Sequence, residues 1–164
     1  MSVIAVKIYR DKVSIAGDSI VCYGWTKRTD GNFNKLTQIN GMIIGSVGYA
    51  QESSLLFHYA ETHKPADATT KDILAFIVEF AKWKNDLIGN SSVSNSYILV
   101  YKGKVFSIES MFVYEVQNFE AIGAGRDFAL AALDLGHTPK ESVNVACKLC
   151  CVVAEPVIEF EQSR

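Results

Sequence analysis

Residues 34–65, NKLTQINGMIIGSVGYAQESSLLFHYAETHKP, carry the pattern that decides the fold. Two extended runs, Asn34–Ile39 and Met42–Val47, flank Asn40-Gly41, a dipeptide that accepts positive φ and marks a tight hairpin. Apolar residues at helical spacing follow from Tyr49 to His63, up to a proline that ends the helix because it disfavours helical geometry before it. The stretch therefore predicts a β-hairpin that runs directly into a helix.

A second helix is predicted from Thr70 to Ile88. Its N-terminus can be capped by Thr69 or Thr70, and Asp72 is placed favourably against the helix dipole. Its apolar stripe follows the helical period, and Lys84 interrupts it near the end. The stripe consists of Ile73, Phe76, Ile77, Phe80, Ala81, Lys84 and Leu87.

Strands are predicted on both sides of this helical pair, with two more helices near the C-terminus. The predicted strands are Val3–Val6, Val13–Ala16, Ser96–Tyr101, Lys104–Ile108, Met111–Val116, Phe119–Ile122 and Pro156–Glu161, and the helices are Arg126–Leu135 and Pro139–Val152. Blocks of strands that alternate with blocks of helices favour the α+β class. Two sheets packed face to face, with a helix pair outside each, bury all the apolar faces, and we expect a single domain over residues 1–164.

Composition excludes several classes of function. A formal net charge of −2 argues against nucleic-acid binding, which needs a basic stripe. The sequence has no apolar stretch of 18 residues, so no membrane span is expected. The first ten residues alternate apolar and polar side chains and lack the layout of a signal peptide, which predicts a cytoplasmic protein.

The four cysteines predict buried side chains and no metal site. Cys147, Cys150 and Cys151 share one face of a predicted helix, but Cys22 has no partner at metal-ligand spacing and His137 has no second histidine nearby. Free cysteine behaves as a small hydrophobe. We therefore expect neither a metal nor a cofactor.

Four motifs resemble those of proteasome β-type subunits and their bacterial relative HslV. Gly45–Gln51 (GSVGYAQ) resembles the strand-to-helix signature of that family, and Ala121–Ala129 (AIGAGRDFA) its second signature. Ala16–Ser19 (AGDS) is similar to the strand end that carries a buried aspartate, and Asn34–Leu36 (NKL) to the segment with the family lysine. The motifs occur in the family order over nearly the whole chain. The resemblance implies the four-layer αββα sandwich of N-terminal nucleophile hydrolases.

The resemblance also implies a mechanism and a set of site residues. In such enzymes the first residue of the mature chain supplies both the attacking hydroxyl and the free α-amine that accepts its proton. That residue corresponds to Ser2, exposed by removal of Met1. Lys35 would lie beside it and favour the neutral amine, Asp18 would orient Lys35, and the backbone N–H of Gly45 would donate to the oxyanion.

Three features depart from the family pattern. Ala124 occupies a position where the family usually has a serine near the amine, and Lys148 aligns with a usual acidic residue on the last helix. Met1, if retained, leaves Ser2 without a free amine.

Three functions remain open. The first is an HslV-like peptidase that cleaves polypeptides inside a homo-oligomeric ring, with a ring ATPase unfoldase as a possible partner. The second is a catalytically inactive proteasome-fold scaffold or binding subunit. The third is an N-terminal nucleophile amide hydrolase or ligase that acts on a small substrate.

Overall fold

A computed structural model describes residues 2–23, 26–28 and 34–164, so that Met1 lies outside the described residues. The strands are β1 (Val3–Ile8), β2 (Lys12–Asp18), β3 (Val21–Tyr23), β4 (Thr26–Arg28), β5 (Leu36–Ile39), β6 (Met42–Val47), β7 (Ser96–Tyr101), β8 (Lys104–Glu109), β9 (Phe112–Val116), β10 (Phe119–Gly123) and β11 (Val157–Ser163). The helices are α1 (Ala50–Ala60), α2 (Thr70–Ile88), α3 (Arg126–Asp134) and α4 (Pro139–Leu149).

Two antiparallel sheets form the centre of the described structure. One has the strand order β10-β1-β2-β11 and the other the order β5-β6-β7-β8-β9. Successive side chains of a strand point to opposite faces. In β1, Ile4 and Val6 therefore point into the interface between the sheets, where they pack against Ile43 and Ile98 of the five-stranded sheet.

The outer faces of the two sheets are each covered by a helix pair. Helices α1 and α2 pack on the five-stranded sheet through side chains such as Leu56 and Phe80, and α3 and α4 cover the four-stranded sheet through Leu133 and Val143. The layers are thus helices, sheet, sheet and helices. The predicted four-layer αββα sandwich of the α+β class is confirmed.

The ends of α2 were predicted correctly from local sequence signals, whereas α1 ends earlier than predicted. Thr69 caps α2 by accepting the N–H of Asp72, and Gly89 ends that helix in the left-handed region at φ 68°, so the predicted bounds of α2 are confirmed. Helix α1 ends at Ala60, before the predicted His63, because the next two amides bond three residues back and tighten the turn.

Two other elements differ from the predictions. Helix α4 stops at Leu149 and not at Val152, because Cys150 adopts extended geometry at its C-cap. The short ribbon β3–β4 was not predicted, since three-residue strands are too short to display alternation. No helix in the described ranges is both long enough and apolar enough to span a membrane.

Candidate active site

Asp18, the last residue of β2, lies at the centre of the candidate site. Its side chain is buried, with 1% of the residue exposed. The amide of Val3 donates to Asp18 Oδ1 at 2.8 Å, and Lys35 Nζ donates to Asp18 Oδ2 at 2.7 Å. The amide of Ile20 also donates to this carboxylate. One carboxylate therefore joins the start of β1 to the predicted lysine.

Burial and hydrogen-bond donors act in opposite directions on the pKa of Asp18. Burial raises the pKa of Asp18 above its ordinary value, while the charge and hydrogen bond of Lys35 act to lower it. Burial has the larger effect, so the pKa of Asp18 is raised. The ionised form of this buried carboxylate is stabilised by the positive charge of Lys35. The same ion pair holds the side chain of Lys35 in place.

Ser2 is packed against the ends of two strands, with 3% of the residue exposed. Its carbonyl accepts the amide of Gly125 at 3.3 Å. Gly123 has φ 99°, and a Cβ built on it would lie 2.2 Å from the carbonyl oxygen of Ser2 and 3.2 Å from Val47 Cγ1. Gly123 thus lies between the carbonyl of Ser2 and the side chain of Val47 at the end of β6, and no residue with a side chain fits at position 123.

Lys35 is held to β6 as well as to Asp18. Its carbonyl accepts the amide of Ser46 at 2.8 Å. Because the amides of a strand alternate sides, the amide of Gly45 points the other way, toward its partner Ile98 in β7. The predicted oxyanion donor therefore lies inside the sheet ladder.

On helix α4, Lys148, which aligns with the usual acidic residue of the family, is exposed. Its neighbour Cys147 is half-buried, and burial together with the negative charge of Asp18 raises the pKa of its thiol to about 11. Each helical residue is turned by about 100° from the last, so a register error of one residue replaces a thiol by a lysine. Ala124 is exposed, and its carbonyl accepts the thiol of Cys150 at 3.7 Å.

The cysteines are less buried than predicted. Cys147 and Cys150 are half-buried, and Cys151 is exposed, because α4 ends before it and turns its side chain outward. The side chain of Cys22 lies outside the described residues. Among the side chains that the structure describes, no group of three histidines, cysteines or carboxylates could hold a metal ion.

Sequence reasoning missed a polar cluster next to the end of β6. Asn95 is fully buried and bonds both the amide and the carbonyl of Tyr49. Glu52 and Lys84 form a buried ion pair at 2.8 Å behind it. The signal for this cluster was Lys84, a lysine in an otherwise apolar helical stripe.

Comparison with known proteins supports this fold at the level of the backbone. No protein-family profile and no curated protein sequence matches the chain. The structure of BPH from Thiobacillus denitrificans in complex with epoxomicin matches with a TM-score of 0.87 and 16% identity, over 98% of both chains. Eukaryotic HslV from Trypanosoma brucei matches with a TM-score of 0.73 and 20% identity, over 99% of both chains. Anbu, an ancestral β-subunit from Yersinia bercovieri, matches with a TM-score of 0.73 and 14% identity, over 98% of this chain and 81% of that one.

These similarities define the class of the fold. The chain has the αββα fold of N-terminal nucleophile hydrolases. Within that class its fold is that of the proteasome β-type and HslV-like proteins, so the resemblance predicted from the sequence motifs is confirmed for the fold.

Proposed function

We propose that the chain is a proteasome-type N-terminal nucleophile peptidase in which Ser2, exposed by removal of Met1, is the nucleophile. The observation that carries this proposal is the Asp18–Lys35 ion pair, held at 2.7 Å with one oxygen of Asp18 bonded to the amide that follows Ser2. Lys35 lies directly before β5 with its side chain only 11% exposed, and such a position has no packing role that an apolar side chain could not fill. Beside an N-terminal hydroxyl it supplies the positive charge that the reaction needs.

The reaction divides into two balanced steps. In the first, the α-amine of Ser2 takes the hydroxyl proton while Oγ forms a bond to the carbonyl carbon of the peptide substrate. The C–N bond then breaks, and the leaving amine takes the proton from the α-ammonium group. In the second, the α-amine takes a proton from water as the water oxygen attacks the ester carbon, the Oγ–C bond breaks, Oγ takes that proton back from the α-ammonium group, and the product acid leaves. Lys35 favours the neutral amine and stabilises negative charge at Oγ, and Asp18 orients Lys35.

The oxyanion donor is taken from the end of β6. Gly45, predicted for this role from the sequence, stays the donor that we propose, because a preorganised backbone N–H beside the nucleophile stabilises the negative charge that forms on the substrate oxygen.

The intact mass of the chain, made without a tag, tests the first requirement. A mass lower than that of the full sequence by one methionine supports a free amine at Ser2. A peptide β-lactone, which acylates an activated hydroxyl, should then add its mass to the N-terminal peptide. Ser2→Ala should abolish this adduct, and Ser163→Ala, at an exposed serine on β11, should leave it unchanged. Retained methionine, or an adduct that survives Ser2→Ala, would contradict the proposal.

Epoxomicin gives an independent probe. The BPH structure is a complex with this compound, and the backbone of that protein matches this chain over 98% of its length. We propose that this chain also binds epoxomicin at the Ser2 site. Binding that Ser2→Ala weakens supports the site, and binding that Ser2→Ala leaves unchanged argues for a different location.

A catalytically inactive subunit is the second candidate. The observation that favours it is the face that α4 turns toward Asp18, where Cys147, with a thiol pKa raised to about 11, offers no negative charge near neutral pH. The exposed Ala124 adds no hydroxyl. An inactive subunit predicts a correct N-terminus at Ser2 without acylation by the β-lactone, so the same experiment separates the two candidates.

We further propose that the peptidase works in the cytoplasm as a homo-oligomeric ring, with a ring ATPase as a possible partner. Support comes from the similarity of the fold to HslV and to Anbu, an ancestral β-subunit. Native mass spectrometry tests this proposal, and a monomer at working concentrations would contradict it.

A further inference from the structure

The peptide unit between Ser2 and Val3 is held at both of its polar groups. The N–H of Val3 donates to Asp18 Oδ1 at 2.8 Å, and the carbonyl of Ser2 accepts the amide of Gly125 at 3.3 Å. A peptide unit is planar and includes the Cα atom on each side, so fixing these two groups fixes the Cα of Ser2. That atom carries the α-amine and, through Cβ, the hydroxyl.

Ser2 needs such support because of its place in the chain. The first residues of a domain are usually poorly ordered unless they are tied down. Strand β1 begins at Val3, so Ser2 precedes the regular strand, and yet only 3% of the residue is exposed. The carbonyl of Ser2 is held by the glycine segment, residues 123–125, which leads from β10 into α3.

Gly123 lies against the carbonyl of Ser2. A Cβ at position 123 would lie 2.2 Å from the carbonyl oxygen and 2.9 Å from the carbonyl carbon. Both atoms belong to the backbone, which cannot rotate aside as the end of a flexible side chain can. A side chain at this position would therefore displace the carbonyl of Ser2 by on the order of 1 Å before ordinary contact distances are restored.

Gly125 is buried, and its lack of a side chain lets its amide reach the carbonyl of Ser2. A Cβ at position 125 would lie 2.9 Å from Val3 Cβ, 3.1 Å from Ala146 Cβ and 3.2 Å from Val153 Cγ2. The residue thus lies between the start of β1, helix α4 and the chain that follows α4. A side chain would push the glycine segment away from β1 and lengthen the hydrogen bond to Ser2.

We infer that Gly123 and Gly125 are positioning residues that fix the Cα of Ser2 relative to the Asp18–Lys35 pair. This inference rests on the proposed function. The two glycines act only through the backbone of Ser2. A misplacement of reacting atoms by about 1 Å can lower a rate about 100-fold, so their effect falls on bond formation and not on the binding of the substrate.

The test compares two glycines with nearly the same φ. Gly123 has φ 99°, and Gly136, which follows α3, has φ 98°, so replacement by alanine strains the backbone at both positions. A Cβ at position 136 would meet no heavy atom of the described residues within 4 Å apart from its chain neighbours. Gly136→Ala is therefore the matched control for Gly123→Ala, and the difference between the two variants isolates the close contacts at position 123.

Acylation by the peptide β-lactone at several concentrations gives kinact and KI separately. For Gly123→Ala we expect kinact to fall about 100-fold with KI changed by less than about two-fold. For Gly136→Ala we expect both constants to be unchanged. Urea denaturation shows whether each variant is folded under the assay conditions. A variant that is less stable but still folded keeps the kinact of the wild type, so kinact separates positioning from stability.

A double variant separates the two contacts at position 123. Val47 Cγ1 would lie 3.2 Å from the new Cβ, and Val47→Ala removes that contact while the contact with Ser2 stays. We expect Gly123→Ala/Val47→Ala to react as slowly as Gly123→Ala. Recovery of the wild-type kinact would show that Val47 causes the loss, and the inference would be wrong. If Gly123→Ala does not fold, Gly125→Ala, with a closest contact of 2.9 Å, is compared with Gly136→Ala in its place.

Failure of the inference and failure of the proposed function are distinguishable. If the wild-type chain reacts through Ser2 and a folded Gly123→Ala variant has an unchanged kinact, the positioning role is wrong and the proposed function stands. If the wild-type chain shows no acylation that depends on Ser2, the proposed function is wrong and the inference falls with it.

Discussion

Asp18–Lys35 and Glu52–Lys84 are two buried carboxylate–lysine pairs with nearly equal separations of 2.7 and 2.8 Å. They differ in whether burial or hydrogen bonding has the larger effect on the pKa of the carboxylate. Burial dominates at Asp18 and raises its pKa. Burial also acts to raise the pKa of Glu52, but the hydrogen bonds from Lys84, Asn95 and Tyr97 outweigh it, so that this pKa is lowered.

The comparison teaches that the burial of the carboxylate, weighed against its hydrogen bonds, and not the length of the ion pair, decides which charge state the fold favours: the side chain of Asp18 is fully buried, whereas that of Glu52 is 9% exposed. Glu52 is strongly held as an anion and suits a fixed structural connection. Asp18 is closer to exchanging its proton and suits a site where charges change during a reaction. Removing the lysine from each pair should therefore have different consequences.

The largest expected effect is the loss of activity in Lys35→Met. We expect acylation of Ser2 to slow by about 10³-fold, because the positive charge that stabilises the developing alkoxide is removed. The free energy of unfolding should change less than for Lys84→Met, because Asp18, with its raised pKa, can take a proton when its partner is lost. Acylation rates and urea denaturation measure the two quantities.

The control for Lys35→Met is Lys12→Met. Lys12 forms a pair with Glu161 at 2.6 Å, but both side chains are largely exposed, at 40% and 50%. This variant should keep the full acylation rate. Equal loss of activity in the two variants would show that Lys35 acts through the general charge of the molecule and not at Ser2.

The second prediction concerns stability at the other pair. Lys84→Met leaves Glu52 as a buried anion without its cation, and breaking such a pair from one side typically costs about 3–5 kcal/mol. A cavity of about 350 Å³, lined by Glu52, Lys84, Tyr49 and Ser94 among others, gives water a route to the pair, so we expect the lower end of this range. Urea denaturation measures it.

The double variant Glu52→Gln/Lys84→Met completes this prediction. Glutamine keeps an oxygen that can accept the amides of Ser94 and Asn95 without a buried charge, so the double variant should be more stable than Lys84→Met alone. A double variant that is no more stable would show that the loss arises from packing around Lys84 and not from the unpaired anion.

The third prediction is that the two carboxylates give stability profiles of opposite slope. The raised pKa of Asp18 favours the folded state most below the unfolded pKa of about 3.9, and this contribution is lost as the pH rises through the folded pKa. The lowered pKa of Glu52 contributes above the unfolded pKa of about 4.3, and this contribution is lost as the pH falls through the folded pKa.

Urea denaturation of the wild type, Asp18→Asn and Glu52→Gln from about pH 7 to pH 3 measures both slopes. As the pH falls, the stability advantage of the wild type over Asp18→Asn should grow, and its advantage over Glu52→Gln should shrink. Slopes of the same sign would show that the two environments do not differ as described.

Much of the fold could be predicted because its signals are local. The bounds of α2 follow from the cap at Thr69, a stripe of helical period and the glycine that ends the helix. The hairpin follows from Asn40-Gly41, both of which have positive φ, at 50° and 80°. These features depend on residues within one or two turns of each other, so they can be found without tertiary structure.

The site could be predicted only in part, because its contacts span long distances in sequence. Asn95 bonds Tyr49 across 46 residues, and no spacing rule joins a loop asparagine to a distant turn. That Cys147 is half-buried while Lys148 is exposed depends on the rotation of α4 about its axis, which packing against β1 and β2 fixes. The donor at the end of β6 depends on the register of three strands.

The smallest expected effect comes from a third pair of similar length at the surface. Lys102 Nζ and Asp67 Oδ1 are 2.9 Å apart, but the two side chains are 51% and 64% exposed. Replacing Lys102 leaves no buried charge without a partner, because water solvates the exposed carboxylate of Asp67 when the lysine is removed. Lys102→Met should therefore leave the free energy of unfolding unchanged within the error of urea denaturation. A decrease in the free energy of unfolding as large as that of Lys84→Met would contradict the argument that burial, and not the distance between the charged atoms, determines how much these ion pairs contribute to stability.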